Sequence, residues 1–514
     1  MKFIQGQDRT QTHLFPISLE ESIDKDNEVR LIDLFVNSLV LSDFGFKTDF
    51  DENGRPAYHP SDLLKLYIYG YLNKVRSSRD FEKECKRNIE VMWLLKDLRP
   101  DHNTISNFRR DNPGAIKKVF RITVKIARNF ELIGGKLLAG DSTKLRAQNS
   151  KKNNFNQKKI DRHLAYIENK LSEYEKALAD SDGDNKRIIE KEIEKQNKRK
   201  NEYKRLEDQL KETNQVQISL SDPESRQMIT RNNITEIAYN LQTTVDSKHN
   251  LPVDYKLTNT NDSKAMGNML QRAKSILRTN RFTALYDKGY HTGSEFSIAN
   301  RMGIMTLVAI PGNPRSSEAP DPRYNVEFFG YDKEKDSYTC LQGHALTSNG
   351  SWYKTANYRF KQYKTKACNK CIDRALCTSS KRNGKTVQRS EYTEGIELNK
   401  KRVEANKSLY KQRQAIVEHP YGTIKRQWGF NYIMTKKTMA RASADVGFML
   451  IAYNLRRLIN IIGQNEFKKY LEQVVADFLA IITQLELKLV NLRHSICVRI
   501  NSTFISGRSH YALY

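Results

Sequence analysis

The sequence predicts a mixed α/β core that follows an all-α N-terminal domain and is interrupted by two inserts. Three observations lead to this prediction. Residues 1–130 place apolar side chains at helical spacing, and short strands alternate with helices between residues 131 and 320. Two segments, 151–214 and 321–390, break that alternation, the first with a heptad pattern and the second with clustered cysteines. A chain of 514 residues is long enough for two or three domains with cores of their own.

The composition favours a soluble globular protein that binds a polyanion. Hydrophobic residues make up 38% of the chain, and 87 Lys+Arg against 60 Asp+Glu give a formal net charge of +27. The basic residues are spread over the whole length, whereas a membrane anchor concentrates them in one segment, so nucleic acid is favoured over an anionic membrane surface. The N-terminus lacks the pattern of a secretory signal, and no window of about 20 apolar residues predicts a membrane span.

The N-terminal region is predicted to be helical and to contact DNA. The segment SDLLKLYIYGYLNKV has Ser61 as its candidate N-cap, and RPDHNTISNFRRDN predicts a turn and a short helix capped by Asn103 or Thr104. A helix, a turn and a second helix bearing arginines suit contact with the DNA backbone. A packing domain with a solvated charged face is an equal alternative. The candidate DNA-binding residues are Arg76, Arg79, Arg109 and Arg110.

The core is predicted to begin with a short apolar strand that ends at Asp141, within AGDST. The strands EIAYNLQTTVDS and LPVDYKLTNT follow, and then an amphipathic helix that Asp262 or Ser263 would cap. The strand of FTALYDKGYHTG ends near Asp287, and a helix and the strand IMTLVAIP complete the series. The order predicts a mixed α/β sheet in which two strands end in an aspartate.

Residues 151–214 predict an antiparallel helical hairpin. A turn, DSDGDN, separates two helical stripes, of which the second is weaker. A structural or dimerising role is favoured, and DNA clamping is the alternative. The first stripe consists of Ile160, Leu164, Ile167, Leu171, Tyr174 and Leu178.

The domain boundaries follow from these changes of pattern, with a helical part of the core after the cysteine-rich segment. The predicted domains are the N-terminal helical domain (1–130), the first part of the core (131–150 and 215–320), the hairpin insert (151–214), the cysteine-rich insert (321–390), the helical part of the core (391–465) and a C-terminal helical tail (466–514).

Three carboxylates form the candidate catalytic set. Asp141 and Asp287 stand at strand ends beside glycines, and Glu418 lies in the basic segment RQAIVEHPYGTIKRQWGF. Carboxylate oxygens bind hard cations, and two Mg²⁺ ions about 3.5–4 Å apart support an in-line phosphoryl transfer. Taken singly, each aspartate is more often a turn former or helix cap, and the glutamate is more often half of a surface ion pair. The set of three, with its basic flanks, favours a metal site.

Four cysteines between residues 340 and 377 form a second candidate site. Cys368 and Cys371 make a C-x2-C pair, Cys377 follows six residues later, and Cys340 precedes them with His344 as an alternative ligand. Four thiolates suit tetrahedral structural zinc. Reduced thiols without metal in a small subdomain are the alternative.

Five segments in the same order resemble the bacterial insertion-sequence transposases of the DDE type, over roughly residues 30 to 465. They are HPSDLLKLYIYGYLNKVRSSRDFEKECKRNIEVMWLLKDLRPDHNTISNFRRDN, GDSTKLRAQNS, YDKGYHTGSEF, RQAIVEHPYGTIKRQWGF and YNLRRLINIIG. The resemblance implies an RNase H-like core and makes Asp141, Asp287 and Glu418 the metal-binding triad. It also implies a Tyr-Arg-Glu-Lys signature, carried here by Tyr410, Arg413, Glu418 and Lys425.

The spacing within that signature departs from the family at one point. Arg413 stands five residues before Glu418, where the family pattern has four, so a regular helix would place the two on different faces. A bulge next to Pro420, which cannot continue the hydrogen-bond ladder, would bring them together. Lys425 follows Glu418 by two helical turns and is expected to face the same way and hold a DNA phosphate.

The resemblance implies a transposase that binds double-stranded DNA at the terminal inverted repeats of its element and joins the cut ends to target DNA. It implies two Mg²⁺ ions, at least a homodimer, and a cytoplasmic, nucleoid-associated protein in a bacterium. The alternatives are a catalytically silent DNA-binding descendant and a nuclease of the same fold without strand transfer. A basic membrane-associated protein lacks an anchor in this sequence.

Overall fold

The computed structural model describes residues 18–49, 56–230, 233–312, 318–380, 382–477 and 480. The chain forms two compact units, each assembled from separate stretches of sequence. The first unit consists of Met1–Phe130, Leu145–Tyr239 and Gly422–Tyr514, and the second consists of Glu131–Lys144 and Asn240–Tyr421. The first unit therefore joins the helical N-terminal region and the hairpin to the last helices. The second contains most of the central sheet and the cysteine-rich segment.

The structure confirms a mixed α/β protein with a helical N-terminal region. The helices are α1 (Val29–Asn37), α2 (Leu41–Phe44), α3 (Pro60–Leu72), α4 (Ser78–Arg87), α5 (Ile89–Leu94), α6 (His102–Asp111), α7 (Pro113–Asn129), α8 (Gln157–Ala179), α9 (Asp184–Thr213), α10 (Met266–Leu277), α11 (Gly293–Arg301), α12 (Arg374–Cys377), α13 (Thr393–Ala405), α14 (Lys407–Tyr421) and α15 (Met439–Ile462). A π-helix covers Gly422–Gln427, directly after α14.

The strands fall into a central sheet, a sheet in the cysteine-rich segment and a short pair beside the hairpin. They are β1 (Leu137–Arg146), β2 (Asn154–Asn156), β3 (Gln217–Ser219), β4 (Arg226–Ile229), β5 (Thr235–Asp246), β6 (Leu251–Thr258), β7 (Thr283–Tyr286), β8 (Met305–Val308), β9 (Gly330–Asp332), β10 (Ser337–Thr339), β11 (Ala345–Ser348), β12 (Tyr353–Lys354), β13 (Arg359–Lys364) and β14 (Val387–Ser390).

The helical core of the first unit forms around α15, which packs against α3, α6 and α7. Tyr67 of α3 stacks on Phe448 of α15 with ring centroids 4.6 Å apart, and both side chains are fully buried. Two of the predicted caps are replaced by their neighbours. His59, rather than Ser61, caps α3, and Asp101 caps α6 by accepting hydrogen bonds from the backbone N–H groups of Asn103 and Thr104.

The predicted hairpin is present in the first unit as α8 and α9, which pack against each other. Ile160, Ile167 and Leu171 of the heptad stripe are buried. At the base of the hairpin, Ile160 joins a small core with Phe155 and Leu210. The hydrophobic stripe therefore predicted the contact face correctly, because side chains three and four apart on a helix share one side.

The central sheet of the second unit runs in the order β6, β5, β1, β7, β8. Strands β1, β7 and β8 are parallel, and β5 and β6 are antiparallel. Successive side chains point to opposite faces, so Leu138 and Ala284 face a core built with α10 and α11, while Ala139 and Leu285 face α14. In the first unit, β4 pairs with the opening residues of β5.

The cysteine-rich segment forms a six-stranded sheet of its own in the second unit. Its order is β12, β13, β11, β10, β9, with β14 paired to β13, and the pairings are antiparallel. Tyr338, Leu346, Tyr363 and Val387 form its buried core.

The C-terminal region continues with a helix over Gln464–Asp477. Apart from residue 480, the rest of the predicted C-terminal tail lies outside the described residues. Within the described ranges, no single helix is long and apolar enough to cross a membrane. One bent pair, Met439–Ile462 with Gln464–Asp477, meets the length and composition test together, with an angle of 112°.

Candidate active site

Asp141 lies within β1 and Asp287 directly follows β7, the adjacent parallel strand. The prediction that the first strand ends at Asp141 is wrong, because β1 continues to Arg146. The register pairs Leu137 with Thr283 and Ala139 with Leu285, so Asp141 and Asp287 each stand two residues beyond the same paired position. Neighbouring strands are about 4.8 Å apart, and residues two apart on a strand face the same way. The sheet therefore brings the two predicted aspartates together, and each raises the negative potential at the other.

Gly140 allows this close approach of β1 and β7. A Cβ atom at Gly140 would lie 1.9 Å from Cε1 of Tyr286, whose ring is fully buried against α10 and α11. Gly140, the residue before Asp141, has no side chain, and the ring of Tyr286, the residue before Asp287, fills that space. A larger residue at position 140 would therefore clash with Tyr286.

Asp141 is half-buried and is held by two donors. Its Oδ1 accepts a hydrogen bond of 2.7 Å from the backbone N–H of Ser142, and its Oδ2 lies 3.0 Å from Nη1 of Arg413. Burial raises the pKa of Asp141 above its usual range, and Asp287 adds to the rise, while Arg413 and the Ser142 N–H oppose it. A cation bound to Asp141 would stabilise its ionised form, because a nearby positive charge lowers the pKa of a carboxyl group.

Helix α14 directs three polar side chains toward β1, β5 and β7. The Tyr410 hydroxyl donates to the carbonyl oxygen of Tyr286 at 3.1 Å, and Arg413 pairs with Asp141. The Tyr421 hydroxyl lies 3.0 Å from the Asp141 carbonyl oxygen and 2.7 Å from Oγ1 of Thr243. Of the predicted signature residues, Tyr410 and Arg413 are therefore both at the site.

Glu418 lies on a different face of α14. Its side chain is exposed, and its Oε1 accepts a hydrogen bond of 2.9 Å from Gln414, one turn earlier on the same helix. Five residues on a regular α-helix correspond to a rotation of about 140°. The expected bulge between Arg413 and Glu418 is absent from α14, and the irregularity follows Pro420 instead, as the π-helix. The prediction that a bulge aligns Arg413 with Glu418 is wrong.

Lys425 lies within that π-helix. The expectation that it shares a face with Glu418 assumed two turns of regular α-helix, and a π-helix has more residues in each turn. The geometric argument for Lys425 therefore no longer holds. Its role in binding phosphate stays a prediction that depends on the resemblance.

Asp262 is a further carboxylate at the site, one that the sequence pattern assigned to a helix cap. Its Oδ1 accepts hydrogen bonds from the amides of Asn240 at 2.7 Å and Gln242 at 2.6 Å, and its Oδ2 lies 3.3 Å from Nζ of Lys144. Burial would raise the pKa of Asp262, but these donors lower it overall. The polar residues Asn240 and Gln242 at alternate positions of a buried strand were the sequence signal for such a group.

Asp262 and Asp287 flank Gly289 from two sides. A Cβ atom built at Gly289 would lie 3.1 Å from Oδ1 of Asp287 and 3.7 Å from Oδ2 of Asp262. Asp287 also accepts a hydrogen bond of 2.9 Å from the Gly289 N–H. The second motif, YDKGY, thus uses its glycine to fit a short turn between two carboxylates.

The described residues contain no group of three or more His, Cys, Asp or Glu side chains arranged to hold a metal ion. Asp141 and Asp287 are adjacent carboxylates, a donor set that suits Mg²⁺. In this structure the positive charge next to Asp141 is the guanidinium group of Arg413.

The four clustered cysteines line one small cavity of about 30 Å³ together with His344. Burial raises the pKa of the Cys377 thiol, and the other three cysteines add to the rise against the opposing charge of Lys385. Gly384 packs against Cys368, where a Cβ atom would lie 2.2 Å from the cysteine Cβ. The donors match those of a structural zinc site, whereas their positions in this structure do not form one.

Two of the four predicted DNA-binding arginines lie inside the first unit. Arg76 and Arg109 are 5% and 4% exposed, and both pair with the fully buried carboxylate of Asp445, at 2.8 Å and 3.2 Å. Their guanidinium groups are enclosed by protein, so the prediction that they contact DNA is wrong. Arg79 and Arg110 are exposed, and Arg110 pairs with Asp111 beside it.

Comparison with known proteins identifies two transposase segments in this chain. Residues 17–111 match the family described as "Transposase domain (DUF772)", and residues 339–459 match "Transposase DDE domain". No curated protein matches the chain. A piggyBac transposase synaptic complex with hairpin DNA, determined by cryo-EM, matches with 9% identity over 88% of this chain and 80% of that one; its TM-score of 0.30 is too low to support an argument. The two family matches support a DDE-type transposase.

Proposed function

We propose that the protein is the transposase of a bacterial insertion sequence, with an RNase H-like core and a catalytic triad of Asp141, Asp287 and Glu418. The observation that carries the proposal is the register of β1 and β7, which places Asp141 and Asp287 each two residues beyond the same paired position of adjacent parallel strands. Paired carboxylates at a sheet edge are suited to phosphoryl transfer with divalent cations, and DDE transposases generally use metals such as Mg²⁺.

The chain's own residues have defined tasks in this proposal. Asp141 and Asp287 would hold the divalent cations, whose chemistry would be to activate an attacking oxygen and to stabilise a leaving oxygen. Glu418 would complete the set, which requires α14 to turn its Glu418 face toward Asp141 and Asp287. Arg413 pairs with Asp141 in this structure, and with a cation at Asp141 its guanidinium group would be available to a DNA phosphate, since its fork matches phosphate geometry.

The proposed DNA-binding surface includes Arg79 and Arg110 of the first unit, together with Lys425. The net charge of +27 is consistent with a nucleic-acid partner. The partners are double-stranded DNA at the element's inverted repeats and target DNA, and a homodimer or higher assembly brings two ends together. Structural zinc held by Cys340, Cys368, Cys371 and Cys377 is a second, separate proposal, and it requires the thiols to move toward one another.

The test is a reconstituted reaction with duplexes that carry the element's own ends, Mg²⁺ and a target plasmid. Joined end–target products, lost on removal of Mg²⁺ by chelation, are the expected result. Cleavage without joining would identify a nuclease instead. Specific binding without either product would identify a catalytically silent DNA-binding protein, and both outcomes would overturn the proposed activity.

A further inference from the structure

The first unit contains a polar cleft that the proposed chemistry does not use. It has a volume of about 550 Å³, within the range of small-molecule sites. The residues that line it are Arg146, Ala147, Gln148, Asn149, Ser150, Asn153, Ser221, Asn431 and Tyr432. Among these described residues none is acidic, four carry side-chain amides, and one is an exposed aromatic ring.

The two walls of the cleft are tied together by backbone hydrogen bonds. The Arg146 N–H donates to the carbonyl oxygen of Asn431 at 3.1 Å, and the Ile433 N–H donates to that of Arg146 at 2.8 Å. This isolated parallel bridge joins the end of β1 to the segment that follows the π-helix. These hydrogen bonds fix the backbone of the cleft, and they therefore fix the positions from which its side chains project.

The amides of the cleft divide into two kinds. Asn153 donates to Oγ of Ser221 at 3.1 Å, and Asn149 accepts from the Ser150 N–H at 2.9 Å, so both are held in place. Gln148 and Asn431 have no side-chain partner among the described residues. An amide offers one acceptor and two donor hydrogens, so this pair retains its full capacity to bind a ligand.

The aromatic and basic groups of the cleft suit the remaining parts of a nucleotide. Tyr432 is 37% exposed, and Arg76 lies 5.0 Å from its ring centroid and donates to its carbonyl oxygen at 2.7 Å. Arg146 is 60% exposed and is only loosely paired, at 3.5 Å, with Glu236. Lys151, which is exposed, directly follows Ser150 of the cleft in the sequence. Tyrosine rings stack on bases, and arginine and lysine bind phosphates.

We propose that this cleft binds a nucleotide of the DNA substrate, with Gln148 and Asn431 reading the base edge, Tyr432 contacting the base and Arg146 holding a phosphate. Asparagine and glutamine amides match a base edge by donating and accepting together, most often at adenine. The inference rests on the proposed function for the identity of the DNA. It adds a sequence-reading site in a unit that lacks Asp141, Asp287 and Glu418.

The experiment measures DNA binding without metal, so that it is independent of cleavage. Duplexes copying the element's ends are prepared with an abasic site at each position in turn, and dissociation constants are measured by fluorescence anisotropy at one salt concentration. For the wild-type chain, one position is expected to show a loss of about tenfold or more, as for one bidentate amide–base pair. In the Gln148→Ala/Asn431→Ala double variant, that penalty is expected to fall to about twofold or less.

The matched control is Gln271→Ala, an exposed glutamine on α10 outside the cleft, which is expected to keep the wild-type penalty. The inference is overturned if the double variant keeps the full penalty. It is also overturned if the variant binds every duplex more weakly by the same factor, which would indicate phosphate contact alone, or if the wild-type chain shows no sensitive position. Failure of the joining reaction, with a base penalty that depends on the cleft, would instead overturn the proposed function alone.

Discussion

Nη1 of Arg413 lies 3.0 Å from Oδ2 of Asp141, so the arginine of α14 rather than its glutamate faces the first aspartate. The Arg413–Asp141 ion pair offsets the repulsion between Asp141 and Asp287, because two adjacent carboxylates destabilise each other in a half-buried setting. In the absence of a metal, the guanidinium supplies the positive charge. Arg413 therefore favours the ionised form of Asp141, against the effects of burial and of Asp287 on its pKa.

Arg413→Gln is expected to shift the acidic limb of the cleavage–pH profile to higher pH. Arg413 lowers the pKa of Asp141 against burial and Asp287, so its removal lets that pKa rise further. Asp141 must be ionised to bind a cation, and protonation then inactivates the variant at a pH where the wild type works. Arg413→Lys keeps the charge and should restore part of the shift. Single-turnover cleavage rates across the acidic range test this, and an unchanged limb in Arg413→Gln would contradict it.

Asp141→Asn, Asp287→Asn and Glu418→Gln are each expected to abolish Mg²⁺-dependent cleavage and joining while leaving DNA binding nearly unchanged. Each substitution keeps the size of the side chain and removes the charge that binds the cation. Glu404→Gln, an exposed site on α13, is the control and should retain activity. Full activity in Glu418→Gln would remove that residue from the triad, and Asp262→Asn would then be the next variant to assay.

Gly140→Ala is expected to destabilise the protein by about 1–3 kcal/mol, as overpacking of a core does. The added methyl group would overlap the buried ring of Tyr286, and relief requires β1 and β7 to separate. Gly330→Ala, where no atom lies within 4 Å of the new Cβ, is the matched control. Urea unfolding midpoints of the two variants should differ clearly. Equal midpoints would show that the strands adjust without cost.

Cys371→Ser is expected to lower the zinc content of the purified protein if the four cysteines bind the metal. One of four thiolates is then lost, and the small sheet around Tyr338 and Tyr363 should become easier to digest with protease. Ser substitution of the buried Cys85, outside the cluster, is the control. A wild-type protein without zinc by atomic emission, or an unchanged content in Cys371→Ser, would contradict the zinc proposal.

Arg79→Ala is expected to weaken DNA binding and to reduce the salt slope of log K by about 1, since one phosphate contact is lost. Its melting temperature should match that of the wild type because the side chain is exposed. Asp445→Asn should instead destabilise the first unit by about 3–5 kcal/mol, because Arg76 and Arg109 are left buried without their carboxylate. An unchanged salt slope in Arg79→Ala would exclude that residue from the DNA surface.

Local pattern predicted the N-terminal helices, the hairpin and the strands β5 to β8, but it did not predict the six-stranded sheet of the cysteine-rich segment. The apolar run ending near Asp287 predicted the end of β7, whereas β1 continues past Asp141 to Arg146, although its pairing with β7 stops at Ala139. The pairing of those strands places the two residues together, as the sequence order suggested. The hairpin stripe from Ile160 onward was predicted for the same reason.

Two of the errors concern contacts between distant parts of the sequence. Whether Arg76 and Arg109 face solvent depends on Asp445, more than 300 positions away, and local composition holds no information about that partner. Asp262 was predicted to be a helix cap because the local sequence does not show the residues that bind it, Asn240 and Gln242, which lie on β5. Within α14, the resemblance favoured Glu418 as the partner of the two aspartates, but the observed helix is regular through that residue and leaves its side chain exposed.

The interior position of Arg76 and Arg109 has a consequence for genetics. A screen for variants that fail to bind DNA will recover substitutions at both positions, because a protein whose helical unit does not fold cannot bind. Those hits will resemble losses at a true contact such as Arg79 unless the amount of folded protein is measured in parallel. In this chain, the arginines most sensitive to replacement are expected to be those that never touch the substrate.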